Sequence, residues 1–300
     1  MNKLYVFGHT KPDTDSIASA IVFARLQKAL GIDAVAYKLG EVNKETKYAL
    51  KTFEVEEPQT LTSVDENCDV ALVDNNEFSQ SVSGIEKAHV KMVVDHHKIK
   101  LETVEPIYFI TEPLGCTCTI LYKLYKQNEV DIDSQTAGLM LSAIISDTLL
   151  FKSPTTTEMD KLACEELSKI ANVDMESYAM EMFKAGTSLD EYSIEEIVNM
   201  DFKEFDMSGK RVGIGQVFTL DIDSIFAKKD EFLSHINSTD YDMLVLAITD
   251  IIKEGSYLIY KAEDKIIAEA FSVDASQGVF AEGVVSRKKQ MLPKILENLD

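Results

Sequence analysis

Positive charge is scarce in this chain. Thirty Lys and Arg stand against 51 Asp and Glu among 300 residues, a formal net charge of −21. Binding to a phosphate backbone is driven by clustered cations that release counterions, so this balance argues against a broad nucleic-acid surface. It also repels small anions. A chain of this composition that handles a phosphate compound must gather positive charge locally, through metal ions or a tight basic cluster. Long apolar runs are missing too. None approaches the about 20 residues needed to cross a bilayer, and Met1-Asn2-Lys3 leads straight into a strand with no signal-peptide pattern. No membrane partner is therefore expected, and the cytoplasm is the expected location. Cysteine is sparse, with residues only at 68, 116, 118 and 164, which suits a reducing compartment better than a disulfide framework. Cys116 and Cys118 stand too close together, with no second pair, to suggest a zinc site. What remains is ordinary: a 45% hydrophobic content and a length sufficient for two domains.

The chain is organised around Met92-Val93-Val94-Asp95-His96-His97, a short apolar run that ends at once in a carboxylate and two imidazoles. Alone, the triplet could be polar loop residues after a strand, but the pattern recurs. Leu4-Tyr5-Val6-Phe7 runs into Gly8-His9-Thr10-Lys11-Pro12-Asp13-Thr14-Asp15, and Val70-Ala71-Leu72-Val73 runs into Asp74-Asn75-Asn76-Glu77. In an open parallel sheet, ligands bind beyond the carboxyl ends of the strands, so three adjacent ends of this kind would pool their side chains.

Helical periodicity covers Ser16 to Leu30, with Gly31 as a stop, and Ala34 to Tyr37 reads as a strand. Glu41 to Lys51 reads as helical, and a further strand is expected at Ile107 to Ile110. Helices are predicted at Thr119 to Gln127 and Ser134 to Ser146, the latter small and apolar enough to be buried. It finishes in Ser146-Asp147-Thr148, where the carboxylate either caps a turn or points into the cluster. A capping-box start at Thr155-Thr156-Thr157-Glu158 precedes a helix Met159 to Ala171, and another spans Met175 to Lys184. Alternating strands and helices imply βαβ units and a mainly parallel sheet. Ala185-Gly186-Thr187-Ser188 is the hinge candidate, giving domains at 1–185 and 192–300 with a linker at 186–191. In the second half, Arg211 to Leu220, Asp242 to Thr249, Ser256 to Lys261 and Ile266 to Ala270 read as strands, with helices near Ile222 to Ile236 and Lys288 to Leu299. Consecutive strands suggest a smaller mixed sheet. The expected fold class is α/β: a doubly wound, mainly parallel N-terminal sheet plus a smaller C-terminal α/β domain.

His9, Asp13, Asp15, Asp74, His96 and Asp147 form one candidate constellation. Imidazoles and carboxylates without thiolates suit Mn²⁺, Co²⁺, Fe²⁺ or Mg²⁺ better than structural Zn²⁺. Six ligands exceed the need of one ion with an open position, whereas two ions about 3.5–4 Å apart sharing carboxylates would use them all. Such a pair acidifies a bridging water to hydroxide near neutral pH and clamps substrate oxygens for in-line attack on phosphorus. In an extended loop Asp13 and Asp15 would face apart and serve different ions. His97 would point away from His96 and act as a substrate contact or proton donor. Positive charge reappears in Ser286-Arg287-Lys288-Lys289-Gln290, at the start of the last helix. There, backbone N–H groups and three cations could bind an anion, although the same run also reads as a solvated helix start opposed by the helix dipole. Lys203 reads from its surroundings as a surface lysine.

These motifs resemble the DHH phosphoesterase superfamily, and within it the family II, manganese-dependent inorganic pyrophosphatases. The resemblance spans essentially the whole chain: His9 to Ser16, Val73-Asp74, Asp95-His96-His97, Ser146-Asp147-Thr148 and the basic run at 286–290. Relatives that cleave nucleotides or short oligonucleotides carry a glycine-rich, histidine-ended C-terminal motif that is absent here. The resemblance implies hydrolysis of pyrophosphate to two orthophosphates, with manganese as cofactor and cobalt or magnesium as substitutes. It assigns His9, Asp13, Asp74 and Asp147 to one metal, and Asp15, Asp74, His96 and Asp147 to the other. Asp95 would orient a ligand histidine. Lys203, Arg287 and Lys288 would grip the substrate with His97 beside it as the C-terminal domain closes. A homodimer, joined through an edge of the N-terminal sheet, is implied as well. One departure stands out: where the family reads Asp-His-Asn, this chain reads Asp74-Asn75-Asn76, which implies altered metal affinity, metal preference or turnover. Asn there resembles regulated members with nucleotide-binding inserts, for which 300 residues leave no room, so no adenylate control is expected. The alternative activity is that of a DHH-type phosphodiesterase or exopolyphosphatase. A metal-binding regulator without catalysis is a third reading, opposed by the intact ligands and by Arg287 and Lys288.

Overall fold

A computed structural model describes residues 3–207, 209–250 and 252–298. The apolar runs of the first half form the strands β1 (Leu4–Phe7), β2 (Ala34–Lys38), β3 (Gln59–Thr60), β4 (Asp69–Val73), β5 (His89–Asp95) and β6 (Tyr108–Thr111). They pair in the order β3-β2-β1-β4-β5-β6, and every pair is parallel. The helices of this half are α1 (Thr14–Ala29), α2 (Lys44–Thr52), α3 (Thr117–Gln127), α4 (Ser134–Thr148), α5 (Glu158–Ala171) and α6 (Met175–Gly186). Parallel strands covered on both faces lose the polar alternation of half-exposed ones. Val70 to Val73 accordingly run buried without a break.

Helix ends follow local chemistry. Asp13 caps α1 by accepting from the Ser16 N–H at 2.9 Å. At the other end Gly31, with φ +85°, supplies the left-handed position from which Gly31 N–H and Ile32 N–H return to the Lys28 and Gln27 carbonyls. The capping box of α5 is built by Thr157 and Asp160, two positions later than the sequence pattern predicts. Helix α4 is apolar on most sides, and Ala137, Leu141, Ile144 and Ile145 are wholly buried. Gly138 is required there by close approach, since a Cβ would stand 2.2 Å from the Phe53 ring. Gly138→Ala is expected to destabilise the first unit by about 1–3 kcal/mol, the usual cost of overpacking, in urea titrations followed by circular dichroism.

The chain divides into two compact units, Met1–Gly186 and Thr187–Asp300. Ala185 and Gly186 of the hinge candidate are the last two residues of α6. The second unit contains α7 (Ile194–Asn199), β7 (Phe202–Met207), β8 (Lys210–Phe218), α8 (Ile222–Ala227), α9 (Lys229–Ser238), β9 (Met243–Asp250), β10 (Gly255–Lys261), α10 (Asp264–Phe271), β11 (Val279–Glu282) and α11 (Leu292–Glu297). Its sheet, β11-β10-β9-β8-β7, is mixed, with only β8 and β9 parallel. Apolar clusters pack on both faces, around Val245 and Tyr260 on one and Leu246 and Phe232 on the other. The fold class is thus α/β with two sheets, as expected.

Three second-half expectations are corrected. Ile266 to Ala270 lies in α10, not in a strand: Ile267, Ala270 and Phe271 are buried at helical spacing, a period that the adjacent pair Ile266-Ile267 masks. The single helix expected from Ile222 to Ile236 is two, joined at Lys228, whose ψ of 14° interrupts the helical path. The last helix begins with one wide turn over Arg287–Met291 before α11, and Leu299 of the expected span lies outside the described residues. No described helix is long and apolar enough to cross a membrane.

Candidate metal centre

The first sheet reverses its winding between β1 and β4, and a crevice opens where the connections leave neighbouring strands in opposite directions. Into it the loop after β1 delivers His9 and Asp13, and the first turn of α1 delivers Asp15. Asp74 follows β4, Asp95 ends β5 with His96 and His97 next, and Asp147 sits in the last turn of α4. Asp74 has a left-handed backbone, φ 51°, and its buried carboxylate stands between two imidazoles. Its Oδ2 is 3.4 Å from His9 Nε2 and its Oδ1 is 3.5 Å from His96 Nε2. His9 Nε2 is also 3.5 Å from Asp13 Oδ2. Two sets of ligand atoms result, each within 4.8 Å of one another: His9, Asp13 and Asp74 in one, and Asp15, His96 and Asp147 in the other. All six candidate ligands therefore lie at one end of one sheet.

The ligand atoms are held from behind. Asp15 is fully buried and accepts from Thr117 N–H at 2.7 Å, Cys118 N–H at 3.1 Å and Ser19 Oγ at 2.8 Å. The start of α3 thus faces a carboxylate, a favourable placement for the helix dipole. Thr117 Oγ1 reaches Asp74 Oδ1 at 3.2 Å. His96 Nδ1 meets the Leu114 carbonyl at 3.0 Å, which assigns the proton to Nδ1 and leaves Nε2 for a metal. Asp95 does not orient that ligand histidine. Its Oδ1 accepts from His97 N–H at 3.0 Å and meets His97 Nδ1 at 2.9 Å, while Oδ2 accepts from Asn76 Nδ2. His97 is exposed, and its Nδ1 lies 3.6 Å from Asp74 Oδ1, so it also falls within ligand range of Asp74 and His96.

The electrostatics of this cluster are those of a place that wants cations. Burial, followed by the charge of Asp15, pushes Asp74 up to about 6. Asp147 is pushed well above the carboxylate range by burial and by Asp15 and Asp74. Burial pulls His9 down most strongly, yet hydrogen bonds and charge from Asp13 and Asp74 together outweigh it and hold the imidazole at about 10. His96 rises to about 9 in the same way, against burial, through Asp74 and Asp15. Protons thus occupy imidazoles that hard divalent ions would otherwise use, and the oxygen and nitrogen donor set fits Mn²⁺ or Mg²⁺. Cys116 and Cys118 lie in range of Asp15 as well, but burial pushes Cys118 up to about 11 and Cys116 well above the thiol value, which disfavours the thiolates a soft metal needs.

A cavity of about 230 Å³ opens over His9, Asp13, Asp74, Asn75 and His97, with Lys98 at its wall. Asn75, where the resemblance implies a histidine, is buried. Its Oδ1 accepts from Glu77 N–H at 2.9 Å, and its Nδ2 has no hydrogen-bond partner. Sequence reasoning passed over Thr117, Lys98 and the Asn76 side chain. Only the adjacency of Lys98 to His97, and the place of Asn76 two positions after Asp74, could have flagged two of them.

Lys203, Arg287 and Lys288 belong to the second unit. Lys203 is exposed on β7, opposite Ile214 of β8. Arg287 Nη1 lies 2.7 Å from Asp201 Oδ1, just before β7, so both residues serve the same sheet edge. Lys288 is exposed. Two of the N–H groups at the start of the last helix are engaged within the unit. Arg287 N–H donates to Gln216 Oε1 at 3.0 Å, and Lys289 N–H to Ser286 Oγ at 3.3 Å.

Residues 3–144 match the DHH family, N-terminal domain, and residues 180–298 match the DHHA2 domain. A Staphylococcus saprophyticus protein described as a probable manganese-dependent inorganic pyrophosphatase is 49% identical over 100% of this chain and 99% of its own. One from Staphylococcus carnosus with the same description is 50% identical over 98% of each. Among solved structures, a Methanococcus jannaschii protein assigned to the family II inorganic pyrophosphatases superposes with a TM-score of 0.63. It is 40% identical over 98% of this chain and 99% of that one. Full-length likeness to such proteins, laid over a crevice that gathers imidazoles and carboxylates from four separate segments, places this chain in the DHH family, among the family II manganese-dependent inorganic pyrophosphatases.

Proposed function

We propose that the chain hydrolyses inorganic pyrophosphate to two orthophosphates at a pair of manganese ions. His9, Asp13, Asp74 and Asp147 would hold one ion, and Asp15, Asp74, His96 and Asp147 the other. The observation that carries this reading is the pair of ligand sets flanking Asp74 at the reversal point of the parallel sheet. When bound, the two ions would supply Lewis acidity, lowering the pKa of a shared water and steadying the oxygens of the phosphoryl group whose phosphorus is attacked. The protein's own residues prepare that step. Asp74 offers one oxygen to each side, and α3 holds Asp15 in place through two N–H groups.

Asp95 engages His97 Nδ1 and, as the leading influence, raises the imidazole's affinity for its proton, so His97 serves as a cationic donor to a phosphate oxygen. Residues 1–185 act as the metal-holding half and 192–300 as the substrate-gripping half about a linker at 186–191, with Lys203, Arg287 and Lys288 closing over the substrate. These cations offset a −21 chain that otherwise repels the doubly phosphorylated anion. By the same kinship, the enzyme is a cytoplasmic homodimer that takes no nucleic acid.

Purified protein supplied in turn with Mn²⁺, Co²⁺ and Mg²⁺ is expected to release phosphate from pyrophosphate at about 1–10³ per second with the preferred ion. Tripolyphosphate, cyclic dinucleotides and oligonucleotides should turn over far more slowly. Silence with pyrophosphate under all three ions overturns the reading, and preference for a longer chain replaces it with the exopolyphosphatase or phosphodiesterase alternative.

A further inference from the structure

Asp160 is a carboxylate wholly removed from water, and none of its donors is cationic. A buried charge without a cation is costly, and it persists where hydrogen bonds hold it for a reason. Part of the reason is local. Asp160 is the third residue of α5, and its Oδ2 accepts from Thr157 N–H and Thr157 Oγ1, both at 2.7 Å, closing the capping box. A capping box ordinarily uses the longer Glu or Gln at this place and asks nothing of a neighbouring element.

Here the same carboxylate reaches across to α3 and the turn before it. Oδ2 also accepts from Gly115 N–H at 3.0 Å, and Oδ1 from Thr119 Oγ1 at 2.6 Å. These two bonds bracket the segment that supports the metal centre. Leu114, one residue before Gly115, presents the carbonyl that fixes His96 Nδ1. Between Gly115 and Thr119 lie Thr117 and Cys118, whose N–H groups hold Asp15, and the Thr117 hydroxyl that reaches Asp74.

We propose that Asp160 is a positioning residue of the metal centre: it clamps residues 114–119 at both ends and through them sets the placement of His96, Asp15 and Asp74. This rests on the metal-centre reading above. Asp160 touches none of the three ligands itself, so its removal loosens the centre without removing any donor.

The test is manganese binding to the resting protein, by isothermal titration calorimetry and by loss of the free-ion electron paramagnetic resonance signal, with circular dichroism to check folding. Asp160→Ala should weaken manganese binding about 10- to 100-fold, as loss of an outer contact to a metal ligand does. Asp160→Asn should stay within about threefold, because its amide oxygen can take the place of Oδ2 while Thr119 turns its hydroxyl to accept from the amide NH₂. Thr119→Val keeps the volume, removes one of the four donors and should cost roughly threefold even if Asp160→Ala folds poorly. Manganese affinities within twofold of wild type in both Asp160→Ala and Thr119→Val overturn the proposal, whatever happens to the melting temperature. Equal weakness of Asp160→Asn and Asp160→Ala overturns it too, since charge rather than placement would then be at stake. A wild-type protein that binds no manganese removes instead the metal-centre reading beneath it.

Discussion

Asp74→Asn protein is expected to lose more than about 100-fold in turnover and most of its manganese, while melting close to wild type. The lower bound is set by what an outer contact alone costs, because Asp74 is placed to donate directly to both ions. Asparagine is the informative replacement. The backbone at this position is left-handed, φ 51°, a conformation that Asn shares with Asp and that Ala resists. Loss in Asp74→Asn therefore reports the missing charge rather than a broken loop. An amide oxygen cannot balance His9 and His96 as the carboxylate does from 3.4 and 3.5 Å. Manganese content by atomic absorption after gel filtration, beside phosphate release, checks the point. Full metal occupancy with full turnover would remove Asp74 from the centre.

Lys288→Ala is expected to do the reverse, lowering kcat/KM for pyrophosphate by about 10²–10³, the range for removing one preorganised charge partner of a reacting anion, with manganese binding unchanged. The reasoning turns on where positive charge can come from. The described centre holds carboxylates and imidazoles with Lys98 and the Glu77-paired Lys100 at its wall, and the chain as a whole repels anions. The backbone around the basic run at 287–289 is held by neutral side chains: Gln216 accepts from Arg287 N–H, and Gln290 Oε1 accepts from Val285 N–H and Ser286 N–H, both at 2.9 Å, while the Arg287 guanidinium pairs with Asp201. The exposed Lys288 and Lys289 are thus carried on a fixed frame. Calorimetry with manganese, run beside a phosphate-release assay, separates the two roles. A Lys288→Ala enzyme as fast as wild type would mean that this unit does not grip the substrate.

The legible part of the molecule is the part where composition and period agree. Strands β1, β4 and β5 announce themselves because apolar runs buried on both faces end abruptly in ligand residues, and the parallel order then brings those ends together. What escaped has equally physical causes. The three strands that sequence reasoning missed, β3, β7 and β11, all lie at sheet edges, where short length or scattered charge replaces a clear pattern. Lys203 lies on one of them, so nothing in its neighbourhood marked it beyond family resemblance. Asp95, expected to orient a ligand histidine, engages His97, while His96 is fixed by the Leu114 carbonyl from a turn that sequence spacing does not bring near. Asp160 was hidden for the same reason: its partners lie 41 and 45 positions away.

Since all six strands of the first sheet run the same way, each connection that enters a strand lies on the rim opposite the chemistry. The turn Asp65-Glu66-Asn67, exposed and leading into β4, is one such place. Doubling the length of a flexible loop costs only about 0.6 kcal/mol, so that rim is where a fluorophore, a tether or an inserted module can be carried while the working rim keeps its shape.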